Sequence, residues 1–204
     1  MAYIGLQHVV AAKLGTETDG SAPTYQSGGM VIGKAMAANL TLNRNDNPLY
    51  ADDAEAENDN GVVGGTIEIN IDDLSIEARK FVLGEEEVTT GTGNSATTEY
   101  WTTEEAAPYV GVGYLRVRRK NGTTSYEALW YPKVQFGENN ENASTKGQQI
   151  EWQTPTIIGR IMGVRPDSTL KAKFRARKTF ETLAAAVAWL DDKAGVQTAT
   201  ATSN

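Results

Sequence analysis

Of the side chains that do most protein chemistry, this sequence holds one histidine, His8, and no cysteine. Thiol catalysis, disulfide frameworks, iron–sulfur clusters and His/Cys metal shells are excluded on that ground. A Ser-His-Asp arrangement would have to be built on His8. That residue lies in an apolar stretch (YIGLQHVVAA) and reads as a buried or interface side chain. Carboxylates are the remaining candidates. Glu85-Glu86-Glu87 and Glu104-Glu105 could work as paired acids, as in glycoside hydrolysis, but each run sits in polar, loop-like sequence. Acidic residues within 52–61 alternate, without the spacing or the glycine of a calcium loop. No Walker loop is present, and no G-x-G-x-x-G opens a helix. Trp101, Trp130, Tyr131 and Trp152 could stack on a sugar, although at strand spacing such residues more often form core or interface. The expectation is a protein with no catalytic site, no cofactor and no metal.

Charge is distributed unevenly. Lys and Arg number 19 and Asp and Glu 26, a net charge of −7. Such a surface repels phosphate, so broad nucleic-acid binding is not expected. Residues 43–61 carry Asp46, Asp52, Asp53, Glu55, Glu57 and Asp59 against Arg44 alone. They read either as a solvated acidic loop or as an arm that contacts another subunit, and as disordered before assembly. Over Leu170–Lys178, the apolar Leu170, Ala172, Phe174 and Ala176 alternate with Lys171, Lys173, Arg175 and Arg177. This predicts a strand with a cationic row. The row is either a solvated face or the counterpart of the acidic arm in a second copy.

The elements that must position these groups follow from periodicity. A chain of 204 residues fits a single domain over 1–204, with a core that needs no disulfide. Twenty glycines and frequent alternation predict a mostly β fold. Strands are expected at 3–12 and 66–72, the latter with Ile67, Ile69 and Ile71 on one face. A helix is expected at 74–83, capped by Asp72 or Asp73 and closed by Gly84. A long loop spans 85–108, with a short strand near Tyr100-Trp101. Asn121-Gly122 predicts a two-residue turn joining Tyr109–Lys120 to Thr123–Phe136. Counting back from it pairs Arg116 with Glu127, Tyr114 with Leu129, and Gly113 with Trp130. Tyr114, Leu129, Trp130 and Tyr131 make both faces of this hairpin apolar, so it must pack on both sides, within the subunit or against a neighbour. The stretch 137–147 reads as another polar loop, also disordered before assembly. Strands at 148–154 and 156–164 flank Pro155, and an Ala-rich helix covers 179–193. No apolar run approaches the roughly 18 residues of a membrane span. Met1-Ala-Tyr-Ile-Gly has no signal-peptide pattern, so assembly in the cytosol is expected and the Asn39, Asn121 and Asn142 sequons read as chance.

Several of these pieces, in this order, resemble the major tail protein family of long-tailed bacteriophages. They are Ile4-Gly5-Leu6 before an apolar strand, Leu49-Tyr50-Ala51-Asp52-Asp53 in the acidic arm, and the aromatic hairpin through Asn121-Gly122 to Phe136. Thr145-Lys146-Gly147, then Ile150-Glu151-Trp152-Gln153-Thr154-Pro155-Thr156-Ile157 and Gly159, is the closest match, and Trp189 also fits. The cation-rich stretch before the last helix departs from the pattern. The resemblance implies a β-sandwich or small barrel with a flanking helix, long loop or arm insertions and a short C-terminal helix. It implies six copies in a ring, inner strands joined into a continuous barrel, and rings stacked into a tail tube. The implied partners are further copies of the chain, a tape-measure protein, tail terminator and distal tail proteins, and double-stranded DNA in transit. The implied location is the virion tail, assembled in the host cytoplasm. Two other classes stay open. One is a β-sandwich carbohydrate- or receptor-binding module using Trp101, Trp130 or Tyr131; the other is a carboxylate enzyme using Glu86 or Glu105. A tube from a related contractile or secretion machine is an alternative within the structural class.

Overall fold

The computed structural model describes residues 2–92, 96–137 and 153–196. In chain order the described elements are β1 (Ala2–Lys13), β2 (Met30–Gly33), β3 (Ala35–Arg44), β4 (Asn47–Ala51), β5 (Ala54–Asp59), β6 (Val62–Ile71) and α1 (Ile76–Val82). They continue with β7 (Glu86–Thr90), β8 (Thr97–Trp101), β9 (Tyr109–Lys120), β10 (Thr123–Gly137), β11 (Thr156–Ile161), β12 (Ala176–Phe180) and α2 (Leu183–Ala194). The fold is mostly β, as the alternation predicts.

One antiparallel sheet runs in the order β2-β1-β9-β10-β11-β6-β3, with β12 added along β10. Its two outermost strands, β2 and β3, are separated in sequence by Lys34 alone. Six gaps of about 4.8 Å would set them about 29 Å apart in a flat sheet. The two steps from Gly33 to Ala35 reach only about 7 Å. The sheet therefore rolls over on itself into a sandwich-like body, and β1 touches β3 across the roll. The corner is held by the Lys34 N–H, which donates to the Asp72 carboxylate at 2.8 Å.

The inside of the roll is apolar. Val9, Ala11, Ile67, Ile69, Ile71, Val110, Val112, Leu129, Tyr131 and Phe136 meet there. Helix α1 brings Ala78 and Val82 into the same cluster. Alternation sends Val10, Ala12, Leu115, Ala128 and Trp130 to the outer face, where Ala186, Leu190 and Ala194 of α2 cover them. The β9–β10 hairpin is thus apolar on both faces and packs on both sides within the subunit. Its register matches the expectation: Lys120 faces Thr123, Arg116 faces Glu127, and Gly113 faces Trp130.

Several sequence expectations are corrected. Within residues 43–61, β4 and β5 form a hairpin rather than an irregular loop, and residues 43 and 44 are the end of β3. Alternation over so few residues was hidden by the acidic composition. The short strand expected near Tyr100-Trp101 is present as β8, but the loop expected at 85–108 also holds its partner β7, so the two form a second hairpin. Helix α1 is capped by Ser75, whose hydroxyl accepts from the Ala78 N–H at 3.2 Å, because Asp72 is engaged by the Lys34 and Asp73 N–H groups. The strand expected at 170–178 does not form. Leu170 sits at φ 52°, which breaks extension, and Asp167 holds Lys173 and Thr169 in a local turn. Only Ala176–Phe180 is strand, so α2 starts at Leu183 rather than Thr179. The strand at 156–164 ends at Ile161. Of the strand expected at 148–154, residues 148–152 lie outside the described residues, as does 138–147 of the expected polar loop, and Gln153 and Thr154 are not in a strand.

Candidate assembly surfaces

The acidic segment becomes the flank and tip of a projecting arm. Strands β3 and β6 carry the chain to its base, where Arg44 faces Val62. Along the arm Leu49 faces Glu57 and Tyr50 faces Glu55. Asp52 and Asp53 form the two-residue tip at φ 51° and 60°, a left-handed conformation that Asp tolerates better than most residues and that hairpin turns require. Polar ties stiffen the base: Asn45 donates to Asp59 and Asn58 to Asp46, both at 3.0 Å. Leu49 is 59% exposed and Tyr50 66%. A two-stranded ribbon is marginal in water on its own, and this one leaves its large apolar side chains uncovered.

The cationic row does not survive as a row. Lys173 is paired with Asp167, while Lys171 is exposed beside the turned Leu170. Arg175 and Arg177 go elsewhere. Strand β12 pairs Arg177 with Leu129 and Thr179 with Glu127. Strand β9 pairs Tyr114 with Leu129 and Arg116 with Glu127 on the same face. Arg177 thus comes to Glu127 from the side of β10 opposite Arg116. Glu127, nearly buried, accepts from the Arg116 Nη2 at 2.6 Å and Nε at 3.2 Å and from the Tyr3 hydroxyl at 2.9 Å. Arg177 stands 3.7 Å from its other oxygen. The Arg116 guanidinium lies 4.1 Å from the centre of the Tyr3 ring and that of Arg118 lies 5.9 Å away. Arg175 is close enough to act on the phenol of Tyr114, whose pKa is pushed far up, chiefly by burial and by Tyr131 beside it. Arg116 and Arg177 close on Glu127 from its two sides, and Arg118 lies over Tyr3 instead. Of these arginines Arg177 carried a signal in the sequence, as part of a cationic row. Tyr3, Arg118 and Glu127 were not foreseen as a site, although the Asn121-Gly122 register had paired Arg116 with Glu127.

The other candidates are placed as follows. Leu129 and Tyr131 are fully buried, Tyr114 nearly so, and Trp130 is only 3% exposed, so all four are core. Tyr25 accepts from the Trp130 indole at 3.1 Å and donates to the Pro132 carbonyl at 3.0 Å; burial pushes its pKa up to about 12. A sugar platform of Trp101, Trp130 and Tyr131 is not formed. Of these three only Trp101 is exposed, on the β7–β8 hairpin, and Trp152 lies outside the described residues. The carboxylate runs do converge. Glu77, Glu85, Glu86, Glu104 and Glu105 line an open groove beside α1 with Lys13 and Lys80. Arg79 holds Glu85 at 3.2 Å and Lys80 holds Glu87. Glu86, Glu104 and Glu105 are exposed. His8 sits in a β1 bulge at φ 57°, with Nε2 2.8 Å from the Asp191 carboxylate of α2. Half-buried rather than fully buried, it fastens the first strand to the last helix.

No helix among the described residues is long and apolar enough to cross a membrane. The chain matches no known family model and no curated sequence.

Proposed function

We propose that this chain is a structural subunit that assembles with copies of itself into stacked rings, the tail tube of a long-tailed virus, and so forms a conduit for double-stranded DNA. The observation that carries self-assembly is the β4–β5 arm: a folded ribbon that exposes Leu49 and Tyr50. A second copy would supply the cover its own subunit does not. The particular assembly comes from the family resemblance, which also supplies the tape-measure, terminator and distal tail proteins as partners and the virion tail as location. The net charge of −7 suits a channel that must not hold phosphate. The role assigned is structural, with no catalysis.

Negative-stain electron microscopy of concentrated protein, with size-exclusion chromatography alongside, tests this. Rings or tubes with a central channel are expected. A species that stays monomeric at every concentration and binds glycans would replace the reading with a carbohydrate-binding module.

A further inference from the structure

Two asparagines in the chain, Asn60 and Asn121, are followed by glycine. An Asn-Gly pair carries chemistry of its own. With no Cβ in the way, the glycine nitrogen can swing onto the carbonyl carbon of the asparagine side chain. The N–Cγ bond forms, the Cγ–Nδ2 bond breaks, and Nδ2 leaves as ammonia with the proton of the glycine amide. The cyclic imide then takes up water. Opening at one carbonyl gives aspartate; opening at the other gives isoaspartate, with an extra carbon in the backbone. The reaction consumes water and nothing else. It needs a glycine nitrogen free to move, so the fold decides which of two identical dipeptides reacts.

The fold treats them oppositely. Asn60-Gly61, at the base of the β4–β5 arm, is tied on both sides of its peptide bond. The Gly61 N–H, which holds the nucleophile, donates to the Asp59 carboxylate at 3.3 Å. The Gly61 carbonyl accepts from the Asn45 N–H at 2.7 Å, and the Asn60 carbonyl accepts from Arg44 at 3.3 Å. Asn121-Gly122 is the tip of the β9–β10 hairpin, and the ladder begins only at Lys120 and Thr123. Among the described residues neither the Asn121 amide nor the Gly122 N–H has a hydrogen-bond partner. Both residues are exposed, and a Cβ built on Gly122 would meet nothing within 4 Å. Turning the Gly122 nitrogen onto Asn121 therefore breaks no bond of the ladder, and the ring and the incoming water have open space.

We infer that Asn121 is a site of spontaneous deamidation on the folded chain, and that Asn60, in the same dipeptide, is protected by its ties. The product places a carboxylate beside Arg119 and Lys120, and its isoaspartyl form lengthens the turn that sets the β9–β10 register. This holds whatever the chain assembles into.

The full chain is kept in mildly alkaline buffer at physiological temperature. Samples taken over weeks are digested and sequenced by tandem mass spectrometry, with isoaspartate located by enzymatic methylation. In the folded protein Asn121 is expected to convert at least about tenfold faster than Asn60. In urea, where the fold no longer separates them, the two rates converge. Asp59→Ala, which frees the Gly61 N–H, raises conversion at Asn60 severalfold, with circular dichroism melts checking that the variant folds. Asn60 keeping pace with Asn121 in the folded chain overturns the assignment. So does an Asn121 that survives folded while the chain in urea converts. An unchanged rate at Asn60 in Asp59→Ala overturns its protection by the Asp59 bond.

Discussion

Glu127 keeps a carboxylate where water barely reaches it, at 3% exposure. Burial is the largest single influence and pushes its pKa up. Hydrogen bonds from Arg116 and Tyr3, with the charges of Arg116 and Arg177, outweigh burial and hold it below the ordinary 4.5. A pKa depressed by folding adds stability above the unfolded value and loses it as pH falls through the folded one. Glu127→Gln is therefore expected to flatten the loss of stability below about pH 4.5, read as urea midpoints along a pH series. Parallel acid limbs in the variant and the wild type would remove Glu127 from the account. Arg116→Ala strands the carboxylate and should cost about 2 kcal/mol, less than for a fully buried pair because the arginine is 27% exposed. Half of this cluster was legible in the sequence. Asn121-Gly122 fixes a register, and the register puts Arg116 against Glu127. Tyr3 and Arg177 come from the first and last strands, and local pattern carries no information about strand order.

Helix α2 lies on the sheet at a point where the sheet has no side chain. A Cβ added to Gly113 would stand 2.6 Å from Leu190 Cδ2, 2.8 Å from the Leu129 carbonyl oxygen and 2.8 Å from Trp130. The leucine tip can turn aside; the carbonyl cannot. Gly113→Ala is expected to destabilise by about 2 kcal/mol and to lower Tm by several degrees, mainly by forcing β9 away from the Leu129 carbonyl and the Trp130 ring of β10. An unchanged melt would mean that the close approach of β9 and β10 at this position is not tight. The helix itself was legible from Leu183, Val187 and Leu190, and the β9–β10 hairpin from its turn. The arms were not. Asp52-Asp53 makes the same left-handed turn that Asn-Gly makes, but without the glycine that advertises it. The cationic strand misled for the opposite reason: its alternation is perfect on paper, and Leu170 at φ 52° with the Asp167 turn breaks it.

The rolled sheet leaves β3 paired on one side only, to β6. This strand is ten residues long, with no proline and with Arg44 as its only charge, and it lacks most devices that blunt a sheet edge. Hydrogen exchange is expected to show its outward amides, and those of the β4–β5 arm, exchanging fast in the free subunit and at least tenfold slower in assembled material. Equal rates in both states would place the subunit contacts elsewhere. That a mostly β, rolled body would form was legible from the alternation of Ile67, Ile69 and Ile71 and of the hairpin. That β2 and β3 would close it was not, because nothing in MVIGKAMA marks Lys34 as the corner of the molecule.

The pairing of β1 with β9 also has a consequence in time. Ala2 ends up opposite Arg119 and Lys13 opposite Val110. A ribosome working at about 5–20 residues per second needs roughly 5–20 s to make the intervening stretch. For that interval this largely apolar strand has only β2 beside it, and α2, which covers its outer face, is made later still. The newborn chain thus passes through a period in which its first strand is exposed on both faces and one edge. The subunit is most prone to wrong pairing before it is complete, and a cell producing it in quantity would have to shelter that strand until the hairpin arrives.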